Sequence, residues 1–183
     1  MSDPRSKVIL LRGINVGGRR KVPMAELKAV ALALGVESPA TYIASGNLLG
    51  ESEVSPWDLE KAFEEALRNH FGFEVPVVAR TGERWLELAQ GSAFPDAEAE
   101  RPKLLHVGLS KEMPVPGARS LLEEKSSADE RLELLADGLW IDYADGVGRS
   151  KLTPTVLDRA VGSAVTCRNW STVQKLAALL RDR

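Results

Sequence analysis

The sequence has one cysteine, two histidines and no long hydrophobic run among its 183 residues. Because Cys167 has no partner for an intrachain disulfide, a cytoplasmic location is the expectation. The apolar runs fall far short of the ~20 residues that a membrane-spanning helix needs. The polar N-terminus, followed by a short apolar segment, does not fit a signal peptide. We therefore expect no association with membranes.

Histidine and cysteine are too few, and too scattered, for the common catalytic centres. His70 ends an amphipathic pattern, and His106 alternates with strand-like residues, so neither has metal-ligand spacing. No spacing supports a Cys-His pair or a Ser-His-Asp triad. Carboxylates such as Glu51, Asp142 and Asp145 are plentiful but unpaired in pattern. The sequence predicts no metal site and no cofactor, and it leaves open whether the protein is an enzyme.

The charge is polarised along the chain although the total is only −2. Residues 1–23 and residues 148–183 each carry a net charge of +5, so the middle of the chain carries −12. If the two ends meet, they form a positive patch that attracts anions. Solvated acidic helices in the middle of the chain explain the same counts. The charge alone does not decide between these interpretations.

Strand and helix patterns alternate over residues 7–80 in the order β-α-β-β-α-β. The predicted strands are 8–11, 40–44, 48–51 and 75–79, and the predicted helices run from Met24 to Gly35 and from Pro56 to Gly72. This order is that of the ferredoxin-like split unit. The uninterrupted apolar strand 8–11 predicts cover on both sheet faces, either by the second half of the chain or by a partner subunit in a homodimer.

The second half predicts a less regular α+β lobe. We expect a helix at 83–90, a proline- and acid-rich loop at 94–102, a strand at 104–109 and a short helix at 118–125. A hairpin over 131–143 turns at Asp137-Gly138, and helices at 154–161 and 169–181 close the chain. No repeat of fixed period is visible. The predicted domains are a ferredoxin-like subdomain, 1–80, and a second α+β subdomain, 81–183, packed on it.

A glycine-rich turn, Arg-Gly-Ile-Asn-Val-Gly-Gly-Arg-Arg-Lys at residues 12–21, joins the first strand to the first helix. It lacks the spacing of both the dinucleotide fingerprint and the Walker A loop. Glycines that free the backbone, with cations beside exposed amides, suit an anion such as phosphate. A tight structural connection is the alternative. The turn's candidate ligand-binding residues are Arg12, Gly13, Asn15, Gly17, Gly18, Arg19 and Lys21.

Three further segments combine ligand-type residues with ordinary structural roles. Residues 45–47, Ser-Gly-Asn, form a predicted turn, and residues 148–153 precede a helix that Ser150 or Thr153 could cap. Residues 166–171 precede the last helix. The arginine of this segment could form two hydrogen bonds to a phosphate, and its tryptophan could stack on a ligand ring or pack within the protein. The candidate ligand-binding residues here are Ser45, Asn47, Ser150, Lys151, Arg168, Asn169 and Trp170.

Several ordered motifs resemble a bacterial family known as domain of unknown function 1697. They are Leu-Leu-Arg-Gly-Ile-Asn-Val-Gly-Gly at 10–18, Pro-Met-Ala-Glu-Leu at 23–27, Thr-Tyr-Ile-Ala-Ser-Gly-Asn at 41–47, Ser-Lys-Leu-Thr at 150–153 and Thr-Cys-Arg-Asn-Trp-Ser-Thr-Val-Gln-Lys-Leu at 166–176. The resemblance implies an α+β fold with a ferredoxin-like part and no established activity. Ala44 and Leu48 depart from the family pattern without disturbing the turns.

Three functional hypotheses follow. The first is a protein that binds a phosphate-bearing ligand, a nucleotide or nucleic acid, in a basic cleft built from both ends of the chain. The second is a small enzyme for a phosphorylated or carboxylated metabolite, with Ser45 or a loop carboxylate reacting. The third is a structural or interaction protein without a ligand. The first predicts that residues 13–21, 45–47 and 150–151 line one cleft, that Gly17 or Gly18 has positive φ, and that Arg168 neighbours the turn.

Overall fold

The computed structural model describes residues 3–183, which form a mixed α+β fold in two compact units. The first unit comprises the chain up to Glu87 together with residues 176–183, and the second comprises residues 88–175. Each unit holds one four-stranded antiparallel sheet. The predicted α+β fold with two lobes is confirmed.

The first unit has the element order predicted from the sequence. Its elements are β1 (Ser6–Leu11), α1 (Met24–Ala33), β2 (Glu37–Tyr42), β3 (Asn47–Glu51), α2 (Pro56–Phe71) and β4 (Val77–Thr81), followed by α3 (Gly82–Leu88). The strands are arranged in the order β2-β3-β1-β4. All four residues of the apolar run 8–11 are at most 1% exposed, so both sides of β1 are covered as the sequence predicted.

Helix α2 shows how local signals set the boundaries of an element. The Ser55 hydroxyl accepts a hydrogen bond from the Asp58 amide at 3.1 Å, and Pro56 occupies the first turn. Gly72, with φ of 76°, ends the helix in the left-handed conformation. Leu59, Phe63 and Leu67 lie on one face of α2, and all three are buried in the core cluster of this unit. The predicted start and end of this helix are confirmed.

The second unit contains more regular structure than its sequence predicted. Its elements are α4 (Pro95–Glu100), β5 (Leu105–Ser110), α5 (Ala118–Lys125), β6 (Arg131–Leu135), β7 (Gly138–Asp142), a 3-10 turn (Val147–Arg149), α6 (Pro154–Val161) and β8 (Val165–Asn169). Helix α7 (Trp170–Arg181) continues into the first unit. The strand order is β6-β7-β5-β8.

Three predicted elements require correction. Residues 94–102 are not only loop, because Pro95 at the first position starts the short helix α4 and Ala97 is buried. Residues 166–169 belong to strand β8, whose polar sequence conceals its pairing with β5. Strand β2 covers Glu37–Tyr42 rather than 40–44, because Ile43 adopts a φ of 51°, which does not fit an extended strand.

The two units repeat one topology. Each has the order β-α-β-β-α-β followed by a helix, and each places its first strand between its third and fourth. In β1, Lys7 pairs with Gly50 and Thr81, while in β5 His106 pairs with Ile141 and Asn169. Lys7 and His106 therefore occupy equivalent positions in the two sheets.

The last strand of each unit carries matching hydrogen bonds as well as matching topology. The Arg80 Nη1 donates to the carbonyl of Ala79 at 2.7 Å, and the Arg168 Nη1 donates to the carbonyl of Cys167 at 2.8 Å. Thr81 and Asn169 each accept a hydrogen bond from the amide three residues ahead, at 3.1 and 2.9 Å. The equivalent pairs lie 99 residues apart at Lys7 and 88 residues apart at Arg80, which explains why the sequence shows no fixed period.

A network of two arginines and two aspartates anchors α4 to the second sheet. The carboxylate of Asp142 is fully buried and accepts hydrogen bonds from Arg101 at 3.0 and 2.7 Å and from Arg131 at 2.9 and 2.7 Å. The Asp96 Oδ2 accepts hydrogen bonds from the same two guanidinium groups at 3.1 and 2.7 Å. This network was not predicted from the sequence, because its members lie up to 46 residues apart.

The network predicts that stability falls in acid. Burial of the Asp142 carboxyl acts to raise its pKa, but the hydrogen bonds from Arg101 and Arg131 outweigh it and lower the pKa. The hydrogen bond from Arg131 is the main cause that lowers the pKa of Asp96 to about 2. A lowered folded-state pKa stabilises the protein above the unfolded value of about 4, and this stabilisation is lost as the pH falls below it.

We therefore expect the free energy of unfolding, measured with urea, to decrease between about pH 4 and pH 2. The Asp142→Asn variant, which has no carboxylate at this position, is expected to show a smaller decrease over the same interval. An equal decrease in both proteins would show that other carboxylates control the acid transition.

Candidate functional site: a corner of the first unit

Two connections of the first unit meet at one corner, which we define as residues 12–23 and 43–46. The Leu11 amide donates to the carbonyl of Gly46 at 2.8 Å, and the Asn15 Nδ2 donates to the carbonyl of Ala44 at 2.8 Å. The structure thus brings the glycine-rich turn and the tip of the β2–β3 hairpin together, as the sequence predicted. Ser150 and Lys151 belong to the second unit, and their part in a common cleft stays a prediction.

The glycine-rich turn contains a small hairpin. The Asn15 amide donates to the Arg20 carbonyl at 3.1 Å, and the Arg19 amide donates to the Val16 carbonyl at 3.0 Å. Gly17 and Gly18 form its tip with φ of 57° and 74°, the pattern of a type I′ turn. The prediction that at least one of these glycines has positive φ is confirmed. A Cβ atom at either position would have no neighbour within 4 Å, so the tip is open.

Left-handed backbone is concentrated at the corner. Seven of the fourteen positive-φ residues in the described part of the chain lie there: Gly13, Asn15, Gly17, Gly18, Arg20, Ile43 and Gly46. Ile43 is the most unusual, because a β-branched residue at φ of 51° is sterically disfavoured. Strained residues of this kind persist where the surrounding structure holds them, and they cluster at functional sites.

Asn15 holds the corner together. Its Nδ2 donates to the carbonyls of Val22 at 3.0 Å and Ala44 at 2.8 Å, and its Oδ1 accepts from the Val22 amide at 2.9 Å. Both amide hydrogens are therefore used within the unit. The predicted ligand-binding role of Asn15 can involve only the remaining lone pair of Oδ1, and its evident role is to fix the turn against the hairpin.

The segment 45–47 is also built into the fold. Asn47 is fully buried, and its Nδ2 donates to the Tyr42 carbonyl at 3.0 Å and the Ser45 Oγ at 3.1 Å. Gly46, with φ of 84°, is packed so closely that a Cβ atom would lie 2.7 Å from that of Leu11. Of this predicted segment, only Ser45 is exposed.

The cations of the turn differ in their surroundings. Arg20 donates to the carbonyl of Glu74, and its guanidinium lies 5.6 Å from the centre of the Phe73 ring. Arg12 is half-buried, and its backbone amide donates to the Pro76 carbonyl at 3.0 Å. Arg19 and Lys21 are exposed, and neither forms an ion pair within residues 3–183. These two side chains therefore place positive charge without a carboxylate partner at the surface of the corner.

The C-terminal candidates lie in the second unit, where their side chains have structural partners. Arg168 is half-buried in β8, and desolvation of its guanidinium lowers its pKa to about 10. The Asn169 Oδ1 accepts from the Thr172 amide at the start of α7. Trp170 is 8% exposed and packs edge-on against Trp140, with ring centres 5.7 Å apart. These contacts give Asn169 and Trp170 structural roles in capping and packing, and the ligand-binding role of the three residues stays a prediction.

The structure shows which of the two candidate hydroxyl groups, Ser150 or Thr153, caps helix α6. The Thr153 Oγ1 accepts from the Val156 amide at 3.4 Å, whereas the Ser150 Oγ accepts from the Leu152 amide at 3.0 Å. Thr153 is therefore the helix cap, and Ser150 stabilises the turn before it. Lys151 is exposed and forms no ion pair within residues 3–183.

Both histidines have partners that do not suggest a catalytic role. The His70 Nε2 lies 2.8 Å from the Glu26 carboxylate on the surface. The His106 Nδ1 lies 3.1 Å from the Leu104 carbonyl, and burial lowers the pKa of His106, which favours the neutral ring. Within residues 3–183, no group of three or more His, Cys, Asp or Glu side chains could hold a metal ion.

The two connections that form the corner are longer than their equivalents in the second unit. The β1–α1 connection has 12 residues, whereas the equivalent β5–α5 connection has 7. The β2–β3 connection has 4 residues, whereas the equivalent β6–β7 connection has 2. The same topology therefore closes with fewer residues at both positions. The additional residues of the first unit lie at the corner.

Comparison with known proteins identifies the family. The family described as protein of unknown function DUF1697 matches residues 5–140, which include the corner. The chain belongs to the DUF1697 family. The second predicted signature, residues 150–153 and 166–176, lies beyond the matched residues. Membership confirms the predicted resemblance and assigns no activity.

A solved structure with the same fold matches nearly the whole length of the chain. The conserved bacterial protein SP0830 from Streptococcus pneumoniae is 23% identical in sequence, with a TM-score of 0.75. The alignment covers 96% of this chain and 98% of that protein. No functionally curated protein matches the chain. In the described part of the chain, none of the helices combines the length and apolar character needed to cross a bilayer.

Proposed function

We propose that this DUF1697 protein binds a phosphate-bearing ligand, a nucleotide or a nucleic acid, at the corner of its first unit. The observation that carries the proposal is the additional length of both corner connections relative to their equivalents in the second unit. The longer connection contains the exposed side chains of Arg19 and Lys21 and the open Gly17-Gly18 tip. These residues are not needed to close the topology.

The chemistry of the corner suits an anion. Arg19 supplies a planar guanidinium that can form two parallel hydrogen bonds to phosphate, and Lys21 supplies a point charge. Neither has a carboxylate partner within residues 3–183, so a phosphate group would displace only water and counterions. Gly17 and Gly18 let the anion approach the backbone without contact with a Cβ atom.

The net charge of the N-terminal segment favours the approach of an anion to the corner. Residues 1–23 carry +5, whereas residues 24–147 carry −12. An anion is attracted by the basic N-terminal segment, which contains the turn, and repelled by acidic side chains. Residues 148–183 carry the same net charge of +5 and attract anions as well. A nucleic-acid ligand would bind less tightly as the salt concentration rises, with a slope that counts the neutralised phosphates.

Thermal unfolding with and without pyrophosphate or ATP tests the proposal. We expect both probes to raise the Tm of the wild-type protein, because a ligand that binds only the folded state stabilises it by about 2.7 kcal/mol at 100 times its Kd. The Arg19→Gln/Lys21→Gln variant is expected to lose most of this shift. Its own Tm without ligand should change little, since both side chains are exposed and unpaired.

The matched control removes the same charge elsewhere. Lys28 and Lys103 are exposed and form no ion pair within residues 3–183, so Lys28→Gln/Lys103→Gln changes the net charge equally. This variant is expected to keep the ligand-induced shift. Equal losses in both variants would show a general charge effect. No shift of the wild-type protein with pyrophosphate or ATP, together with no binding of nucleic acid, would contradict the proposed function.

Several finer expectations remain predictions. The basic cleft built from both ends of the chain requires Arg168 to contribute, and Arg168→Ala should then lose ligand-induced stabilisation. A ferredoxin-like classification of the first unit is likewise a proposal, supported by the β-α-β-β-α-β order. A cytoplasmic location is a proposal supported by the single cysteine. A homodimer is a further proposal. No observation favours an enzyme built on Ser45, whose hydroxyl accepts from Asn47.

A further inference from the structure

We propose that the ligand of the corner is a nucleic-acid double helix, with Val16 and Ile43 contacting it between the basic side chains. This inference rests on the proposed function and names its ligand class. It comes from two properties of the corner that a site for a small nucleotide does not need. Consecutive residues of the corner are exposed around an open hairpin tip, and two of the exposed side chains are aliphatic.

The exposure of the corner distinguishes it from an enclosed pocket. Every residue from 16 to 21 is exposed, and so are residues 43–45 of the neighbouring hairpin. A small ligand is usually held in a concave pocket that buries most of its surface. A protruding tip cannot enclose such a ligand, but it can enter the groove of a polymer. The hairpin of residues 15–20 narrows to the two glycines at its end, which suits a groove.

The aliphatic pair distinguishes a duplex from other anionic partners. Val16 is 67% exposed and Ile43 is 52% exposed, and the hydrogen bond from Asn15 to Ala44 holds their segments together. Proteins that bind the minor groove place arginine and lysine in it and insert aliphatic side chains between base steps. Single-stranded nucleic acid is instead held by stacking on aromatic rings, and residues 12–23 and 43–46 contain none. The Phe73 ring lies beside the turn, but the Arg20 guanidinium lies over it.

Ile43 adds an argument from conformation. Its φ of 51° disfavours a β-branched side chain, and its exposure means that the side chain gains little from burial in the free protein. Asparagine or glycine would adopt the same backbone more easily. An isoleucine that adds no stability here is consistent with a contact made only when a partner is bound.

The inference is tested by fluorescence anisotropy with a labelled DNA duplex of about 20 base pairs, which is about two helical turns long. We expect the wild-type protein to bind this duplex more tightly than the matching single strand. Val16→Ser and Ile43→Asn together should weaken duplex binding about tenfold, the effect of losing two aliphatic contacts. Ile43→Asn alone should weaken binding while raising the Tm of the free protein, a combination that a purely structural role would not produce.

The controls separate this inference from the proposed function. Met113, in the second unit, is 74% exposed, so Met113→Ser removes an equally accessible apolar side chain and should leave duplex affinity unchanged. Pyrophosphate-dependent stabilisation without duplex binding would overturn the inference and leave the proposed function standing. Stabilisation by neither pyrophosphate nor ATP, together with no duplex binding, would overturn both.

Three further results would also overturn the inference. Tighter binding of the single strand would show stacking rather than groove insertion. Unchanged duplex affinity in the Val16→Ser/Ile43→Asn variant would show that these two side chains do not contact the duplex. Binding to phosphatidylserine vesicles that requires Val16 and Ile43, with no duplex binding, would identify the corner as a membrane-contacting tip.

Discussion

Replacing Gly46 with alanine is expected to reduce the free energy of unfolding by about 3 kcal/mol. Two effects act together. The φ of 84° is unfavourable for any residue with a Cβ atom, and that atom would lie 2.7 Å from the Leu11 Cβ and 3.0 Å from the Ile14 Cδ1. Both neighbours are buried, so neither can move freely. Urea denaturation of the purified variant measures the loss.

Gly17→Ala provides the control for the conformational part of this effect. Gly17 also has positive φ, but a Cβ atom there has no neighbour within 4 Å. Only the backbone preference is lost, so we expect a cost of about 1 kcal/mol. Similar costs for the two variants would show that the close packing of Gly46 against β1 is not a major contribution.

The Asp142→Asn variant is expected to lose about 3 kcal/mol of stability near neutral pH. The fully buried carboxylate accepts hydrogen bonds from both Arg101 and Arg131. Asparagine keeps the shape but leaves two partly buried guanidinium groups without their shared negative charge. The side chains of Arg101 and Arg131 are 25% and 39% exposed, so water limits the loss.

Asp96→Asn is the matched control, because Asp96 contacts the same two arginines but its side chain is 46% exposed. We expect a much smaller effect from this change. If Asp96→Asn destabilised the protein as much as Asp142→Asn, the exposed carboxylate of Asp96 would contribute as much to anchoring α4 as the buried carboxylate of Asp142.

The first unit was predicted well because its sequence contains strong local signals. Ser55, Pro56 and Gly72 mark both ends of α2, and the apolar run 8–11 marks a strand covered on both sides. These features depend on residues close together in the chain. Local physical chemistry therefore sufficed to predict the β-α-β-β-α-β order.

The second unit was predicted less well because tertiary contacts determine its short elements. Strand β8 has only five residues and a largely polar sequence, which does not predict a strand. It is recognised as a strand only by its pairing with β5. Helix α4 is short and acidic, and Arg101 and Arg131 hold its Asp96 from outside the helix. The repeated topology was invisible for the same reason, since only register and hydrogen bonding reveal it.

The sequence predicted that two segments of the candidate site meet, but not the contacts that they make. The glycine-rich turn and the Ser45-Gly46-Asn47 segment do meet, and the left-handed glycines were expected. The sequence could not show that Asn15 and Asn47 use their amide hydrogens within the fold. It also could not show that Val16 and Ile43 are exposed at the same corner, because aliphatic residues near a strand are normally read as core.

The most direct test of ligand binding at the corner is amide NMR of the protein during a titration with pyrophosphate and then with the duplex. We predict that the largest chemical-shift changes fall on Gly17, Gly18, Arg19 and Lys21, with smaller changes at residues 43–46. The Arg19→Gln/Lys21→Gln variant should lose these changes and retain a folded spectrum. Saturating ligand that leaves residues 12–23 and 43–46 unshifted, or shifts confined to other parts of the chain, would contradict the account.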